Sequence, residues 1–479
     1  MTDDPRLAAF PAGFTWGAAT AAYQIEGSTT ADGRGPSIWD TFCRVPGATR
    51  NGETGDIAVD HYRRYREDVT LMAGIGLQAY RFSIAWPRIQ PTGRGRPLAA
   101  GLDFYSRLVD SLVEAGIEPV VALYHWDLPQ ALQDRGGWPT RETALRFVEY
   151  AEIVYGRLHD RVRRWGTINE PWCVAFLGHA AGLGTPGAHA PGVGDPARAI
   201  DTVHHLLLGH GLAVRAMRAI DPSRELGIYL NLAPARAVGA ESTPGLLDGL
   251  RRIDALQNRL FLDPLLRGSY PADALADLRA FGRPPVEPGD LEAIAEPLDW
   301  LGVNYYFDRL LEAGDPGPPL AALFPGLAGV RQAIVEPLTD MGWPITPVGL
   351  HDLLVRLRAS YPYLPPLLIS ENGAAYDDQP APDGSIDDRR RIDYLAAHIA
   401  QLRLAIAEGV DTRGYFVWSL LDNFEWAEGY SKRFGLVHVD YATQRRTPRR
   451  SAGWYRDVIA RNGLAGDGAA SDLPTTSEP

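Results

Sequence analysis

Val162-Arg163-Arg164-Trp165-Gly166-Thr167-Ile168-Asn169-Glu170-Pro171 reads as a short buried strand, Val162–Asn169, that breaks off at a proline. Pro171 has no N–H to give to a ladder, so the strand ends there and leaves Glu170 at its tip. Before this run, Thr140–Leu158 carries helical periodicity, and after it Ala197–Ile220 does the same. A short buried strand between two long amphipathic helices is the unit of a parallel sheet with helical crossovers.

The same unit repeats along the chain in both directions. Further strand candidates are Phe14–Thr20, Ala79–Ile84, Glu118–Tyr124, Leu226–Leu232, Trp300–Tyr306, Leu367–Ser370 and Gly414–Leu420, which with Val162–Asn169 makes eight. Further helix candidates are Asp60–Ala73, Leu102–Ala115, Leu246–Leu266, Leu350–Ser360, Arg389–Glu408 and Arg449–Arg461. This alternation predicts an α/β fold, a single (β/α)8 TIM barrel with long loops at the carboxyl ends of its strands. No internal linker divides it, so residues 1–462 are expected to form one catalytic barrel and Gly463–Pro479, small, polar and acidic, a disordered tail. The Pro/Gly-rich stretches Gly182–Asp195 and Ala313–Gly329 follow the fourth and sixth strands, where a barrel enzyme places its pocket, and read as long loops walling it.

Composition narrows the partners. With 479 residues, 45% of them hydrophobic, the chain can bury a large core, and a net charge of −12 lacks the basic field that nucleic acid or an anionic membrane requires. Lys432 is the only lysine. Cys43 and Cys173, the only cysteines, are too few for a disulfide framework and read as packed thiols. With no Cys/His cluster, neither a metal nor another cofactor is expected. Met1–Phe14 holds Asp3 and Asp4 and no apolar core of a secretory signal, and no run of 18 apolar residues occurs, so a cytoplasmic location is expected. Nothing in the sequence fixes the oligomeric state.

Glu170 has a counterpart in Leu368-Ile369-Ser370-Glu371-Asn372-Gly373, a second carboxylate at a strand end. Read singly, Asn-Gly is an ordinary turn signal and a Glu before Pro an ordinary terminator. Read together, two carboxyl groups facing one bond are what glycosidic cleavage uses, one to protonate the leaving oxygen and one to attack or stabilise the sugar carbon. In the second strand Tyr80, Phe82 and Ile84 alternate with Arg81 and Ser83, which sends Arg81 inward. A buried guanidinium needs an acid, and Glu371 is the expected partner. Other strand ends offer groups suited to a sugar: Gln24 and Glu26 after the first, His125 and Trp126 after the third, Asn169 after the fourth, Tyr306 after the sixth, and Trp418, Glu425 and Trp426 after the eighth. Asn169 and Glu170 are neighbours, so an ideal strand would point them to opposite faces, and the strand must end or bulge between them.

Several further blocks match one family in order: Phe14-Thr15-Trp16-Gly17-Ala18-Ala19-Thr20 on to Tyr23-Gln24-Ile25-Glu26-Gly27, Arg34-Gly35-Pro36-Ser37-Ile38-Trp39-Asp40, Tyr80-Arg81-Phe82-Ser83-Ile84-Ala85-Trp86-Pro87-Arg88, Tyr124-His125-Trp126-Asp127-Leu128-Pro129, Asn304-Tyr305-Tyr306 and Asp422-Asn423-Phe424-Glu425-Trp426. From Phe10 to about Arg461 the chain resembles the family 1 glycoside hydrolases, the β-glucosidase family. The resemblance implies a retaining, double-displacement β-glucosidase acting on β-glucosides and cello-oligosaccharides, with β-galactosides and β-fucosides as further glycones. It makes Glu170 the acid/base and Glu371 the nucleophile, and has Arg81, Asn304 and Tyr306 support the nucleophile. Gln24, His125, Asn169, Glu425 and Trp426 would contact the glycone hydroxyls over a Trp418 platform. Ser370 stands where the family more often has Thr, and Phe307 and Asp308 replace a commoner small polar start, a change expected to face the leaving group.

Two alternatives follow from the same resemblance. A catalytically silent sugar-binding relative would lack one of the carboxylates, and the thioglucosidase branch has Gln at the acid/base. Both Glu170 and Glu371 are present. A 6-phospho-β-glucosidase typically has Ser at position 425 and a Lys and Tyr that grip the phosphate. Here Lys432 is matched, but Phe434 takes the Tyr position, and a carboxylate at Glu425 is expected to repel the phosphate.

Overall fold

In the computed structural model, which describes residues 4–239 and 243–465, all eight strand candidates form. They are β1 (Thr15–Ala19), β2 (Ala79–Ser83), β3 (Glu118–Tyr124), β4 (Arg164–Asn169), β5 (Glu225–Asn231), β6 (Trp300–Asn304), β7 (Leu367–Asn372) and β8 (Thr412–Trp418). Each pairs in parallel with its neighbours, and β8 returns to β1, closing the barrel. Between and after them run α1 (His61–Ile75), α2 (Ala99–Glu114), α3 (Arg141–Leu158), α4 (Pro196–Ile220), α5 (Pro244–Asp254), α6 (Pro347–Ser360), α7 (Arg389–Ala407) and α8 (Arg450–Arg461). Helix α5 continues through a π turn, Ala255–Arg259, into Leu260–Arg267. Local chemistry sets the starts: Asp195 and Thr243 cap α4 and α5 with their side chains, each followed by a proline in the first turn.

The strands are buried on both faces, as a sheet lined outside by helices and filled inside requires. Inside the barrel the Tyr229 ring occupies room left by Gly166 and Gly302, where a Cβ would overlap it. Ala122, Trp300 and Leu368 complete this interior cluster, separate from the continuous core between strands and helices. The Arg81 guanidinium lies over the Tyr229 ring, 3.8 Å from its centre, so the filled barrel is a floor on which the site is built.

Two segments differ from expectation. The stretch around Ala313–Gly329 is not one long loop: it holds a helix, Pro318–Leu323, flanked by Arg309–Ala313 and Val330–Gln332, which pair antiparallel. Arg309–Ala313 also pairs with Ala235–Ala237, some seventy residues earlier by number. These strands are too short for alternation to register, and a partner distant in sequence creates them. At the C-terminal end Leu464 is buried in the core, while residues 466–479 of the expected tail lie outside the described residues. Among the described residues no helix is long and apolar enough to cross a membrane.

Candidate active site

At the carboxyl ends of the strands a cavity of about 360 Å³ opens, within the range of sites for small ligands. It is lined by His125, Glu170, Asn304, Tyr306, Glu371, Trp418, Glu425 and Trp426 among others. Arg81, Asn169 and Gln24 do not line it; they are buried behind the wall and act on those that do.

Glu371 sits in β7, which runs past Ser370 to Asn372 because Glu371 still pairs with Asn304 of β6. Its Oε1 is ion-paired with Arg81 Nη1, and its Oε2 accepts the Tyr306 hydroxyl at 2.6 Å. Arg81 Nη2 donates to Asn169 Oδ1 at 2.6 Å. Burial would otherwise make a lone guanidinium costly, so carboxylate, ring and amide together hold Arg81 in place.

Asn304, expected to support Glu371, meets it only through the ladder. Its side-chain Nδ2 donates instead to Glu170 Oε1 at 2.7 Å and to Asn169 Oδ1 at 3.0 Å. The reason is supply: Arg81 and Tyr306 already occupy both Glu371 oxygens, and Glu170 Oε1 is the acceptor left within reach. Glu170 itself has a left-handed backbone, φ +47°, directly after β4 ends, which turns its carboxyl into the cavity although Asn169 precedes it. Trp126, two residues past β3, and Trp426, in the loop after β8, also have left-handed backbone, at φ +79° and +51°.

The Glu170 carboxyl is pushed up to about 8, first by burial and second by the charge of Glu371, against the Asn304 donor that lowers it. With Oε1 engaged by the amide, the acid proton belongs on Oε2. There Cys173 adds a contact the sequence did not disclose, its Sγ donating to Glu170 Oε2 at 3.0 Å while Asn231 Nδ2 donates to Sγ at 3.4 Å. Burial raises the thiol well above its ordinary range, so it remains S–H and a donor. The signal available in the sequence was the i, i+3 spacing across the turn that follows Glu170.

The opposite wall presents unmet hydrogen-bonding capacity. Asn169 uses Oδ1 for Arg81 and Asn304, so its Nδ2 faces His125 Nε2 at 3.1 Å, and the imidazole proton falls on Nδ1. That Nδ1 is buried without a partner, and burial keeps the ring neutral. Gln24 Nε2 donates to Asn423, to the Phe424 carbonyl and to Glu425 Oε2 at 3.3 Å, leaving its own Oε1 unmet. An ordered hydroxyl from a ligand would satisfy His125, which lines the cavity. Trp418 and Trp426 lie nearly parallel to the His125 ring at 5.7 and 5.9 Å. The loop that carries Glu425 and Trp426 is pinned by Asp422, whose two oxygens take a bidentate pair from Arg449 at 2.9 Å each.

Three expectations need correction. Burial first, and Glu371 second, push the Glu425 carboxyl up to about 8, which reduces the charge expected to face a phosphate. Glu26 turns away from the cavity to pair with Arg88 and Tyr105. Of the two residues expected toward the leaving group, Phe307 lines the cavity, but Asp308 is buried beneath it, paired with Arg236 and Tyr305. Further lining residues that carried no signal as site residues in the sequence include Trp172, Cys173, Asn231, Arg309 and Trp343.

A carboxyl held above its ordinary range by burial and by Glu371 sets an expected pH dependence. Protonated Glu170 is the form able to donate, so kcat/KM is expected to fall as pH rises through about 8. Cys173→Ala removes a donor that favours the ionised form and is expected to move that basic limb upward, with Cys173→Ser restoring it. A limb unmoved in Cys173→Ala would show that the thiol is packing only.

A model described as Glycosyl hydrolase family 1 matches residues 7–464. The chain is 53% identical over 457 residues to thermostable β-glucosidase B of Thermobispora bispora, covering 95% of this chain and 91% of that one. It is 47% identical to a bifunctional β-D-glucosidase/β-D-fucosidase of Bifidobacterium breve, covering 94% and 98% respectively. The crystal structure of a psychrophilic β-glucosidase from Micrococcus antarcticus superposes with a TM-score of 0.91 at 49% identity, covering 97% of this chain and all of that one, 100%.

Proposed function

The chain belongs to glycosyl hydrolase family 1, and from that premise we propose that it is a retaining β-glucosidase releasing terminal β-D-glucosyl residues from β-glucosides and cello-oligosaccharides. The observation that carries this reading is one cavity holding two carboxyls prepared for opposite tasks. Arg81 and Tyr306 hold Glu371 as a carboxylate that attacks the anomeric carbon. Glu170, protonated near neutral pH, gives its Oε2 proton to the glycosidic oxygen as the aglycone leaves. When Glu371 becomes an ester its charge is gone, and with it the second of the two causes that raise Glu170. Burial remains, so the fall is partial, and the Asn304 and Cys173 donors then help Glu170 take a proton from water. His125 Nδ1–H would donate to one glycone hydroxyl and Glu425 would bond another, with Gln24 holding Glu425 from behind. The β-fucosidase activity of the Bifidobacterium relative supports β-fucosides as a second glycone.

A 6-phospho-glycoside reading is disfavoured by where the cations are. Lys432 Nζ is engaged by the Asp340 carbonyl and Arg433 by Asp422, neither lines the cavity, and Phe434 does. A phosphate on O6 would find no counter-charge beside Glu425. For an aryl β-glucoside, kcat/KM is expected to exceed that of its 6-phospho form by at least about a hundredfold, or about 3 kcal/mol. Comparable rates on the two substrates would overturn the assignment in favour of the phospho-glycosidase branch.

A further inference from the structure

The interior arginines of this protein are paired with carboxylates: Arg81 with Glu371, Arg88 with Glu26, Arg391 with Asp388, Arg446 with Asp68 and Arg449 with Asp422. Arg309 is different. It lines the cavity, is only partly exposed, and among the described residues forms no ion pair. Its Nε and Nη2 share a single neutral acceptor, Gln257 Oε1, at 3.3 and 3.2 Å. Three rings stand around the guanidinium, Phe324, Trp172 and Phe307, at 5.1, 5.3 and 5.6 Å. Such rings support a cation but accept none of its N–H donors in the way a carboxylate does.

Its location is equally specific. The Trp172 ring beneath Arg309 adjoins Cys173, which touches Glu170, so the guanidinium stands on the acid/base side. Glu425 and Trp426, which would take the glycone, lie on the other wall, with Gln24 behind Glu425. Around Arg309 the cavity wall is aromatic: Trp172 and Phe307 lie against the guanidinium and Trp343 packs on Phe307 at 5.1 Å. Burial pushes Arg309 down to about 10, which still leaves it charged at neutral pH.

Resting on the glycosidase reading above, we propose that the leaving-group side of the cavity selects β-glucosides of aromatic acids, the ring lying among Trp172, Phe307 and Trp343 and a carboxylate on that ring pairing with Arg309. The ligand supplies the anion that Arg81, Arg88, Arg391, Arg446 and Arg449 find within the protein. A neutral Glu170 between the two walls means that the incoming carboxylate meets little opposing charge there.

The test compares 4-carboxyphenyl β-glucoside with its uncharged isostere, 4-carbamoylphenyl β-glucoside. The carboxylate is the weaker electron-withdrawing group, so chemistry alone favours the carbamoyl substrate. Wild-type kcat/KM is expected to favour the carboxylate by about tenfold or more, carried mainly by KM, with the preference shrinking as salt is added. In Arg309→Met the ratio is expected to drop to one or below, whatever happens to the absolute rates, while Arg309→Lys keeps part of it. A wild-type ratio at or below one, or a preference that survives in Arg309→Met, overturns the proposal. Hydrolysis of neither compound by the wild-type protein would overturn the glycosidase reading itself, a result distinct from rapid hydrolysis of both at equal rates.

Discussion

Glu371→Gly is expected to lose at least about a thousandfold in kcat on aryl β-glucosides, because the group that forms the covalent bond is gone. The structure says what remains in its place. Arg81 keeps the Asn169 amide oxygen, the Ser370 carbonyl and the Tyr229 ring but loses its carboxylate. The protein should therefore fold with a lowered Tm and offer a small space beside an uncompensated guanidinium. Azide or formate fits that vacancy by size and charge and would attack from the nucleophile's side. Turnover restored by added azide should give a glycosyl azide of inverted anomeric configuration, read directly by NMR. Full activity without an added anion would falsify the assignment of Glu371.

Glu170→Ala is expected to separate substrates by leaving group. An activated aryl glycoside departs without a proton, so the first step is slowed little, whereas cellobiose or an alkyl glucoside should lose about a hundred- to ten-thousandfold. The second step also loses its base, so even the activated substrate should turn over slowly after a burst of released phenol. Pre-steady-state release of that phenol measures the two steps separately. Equal losses on both classes of substrate, with no burst, would mean that Glu170 does something other than exchange a proton with the leaving group.

The barrel could be read in advance because its strands are buried on both faces and bounded by helices, so each candidate carries its own signal. Arg309–Ala313 carried none, since it is a strand only by virtue of Ala235–Ala237 and Val330–Gln332. At the site, the inward turn of Arg81 followed from alternation with Tyr80 and Phe82, and its partner from the cost of an unpaired guanidinium. The destination of the Asn304 amide did not follow, because it depends on which carboxylate oxygens other donors have already taken. Cys173 read as a packed thiol because its role rests on a helical turn begun at Glu170, and Glu425 read as a charge because burial cannot be seen at a single position. Arg309 is one of many arginines in the sequence, and only the map of ion pairs sets it apart.

The left-handed backbone at Trp126, Glu170 and Trp426 has a bearing on how this protein can change over evolutionary time. Such conformations cost about 1–3 kcal/mol each for residues bearing a Cβ, and glycine would relieve them. Selection for thermal stability alone therefore pulls Glu170 toward glycine while selection for activity holds it, whereas at Trp126 and Trp426 the packing of the buried rings outweighs the strain. The opposition leaves the barrel less reserve against mutations elsewhere in its core. Gain of heat resistance is then open to changes among the helices and the filled interior around Tyr229, and closed at the rim where the chemistry stands.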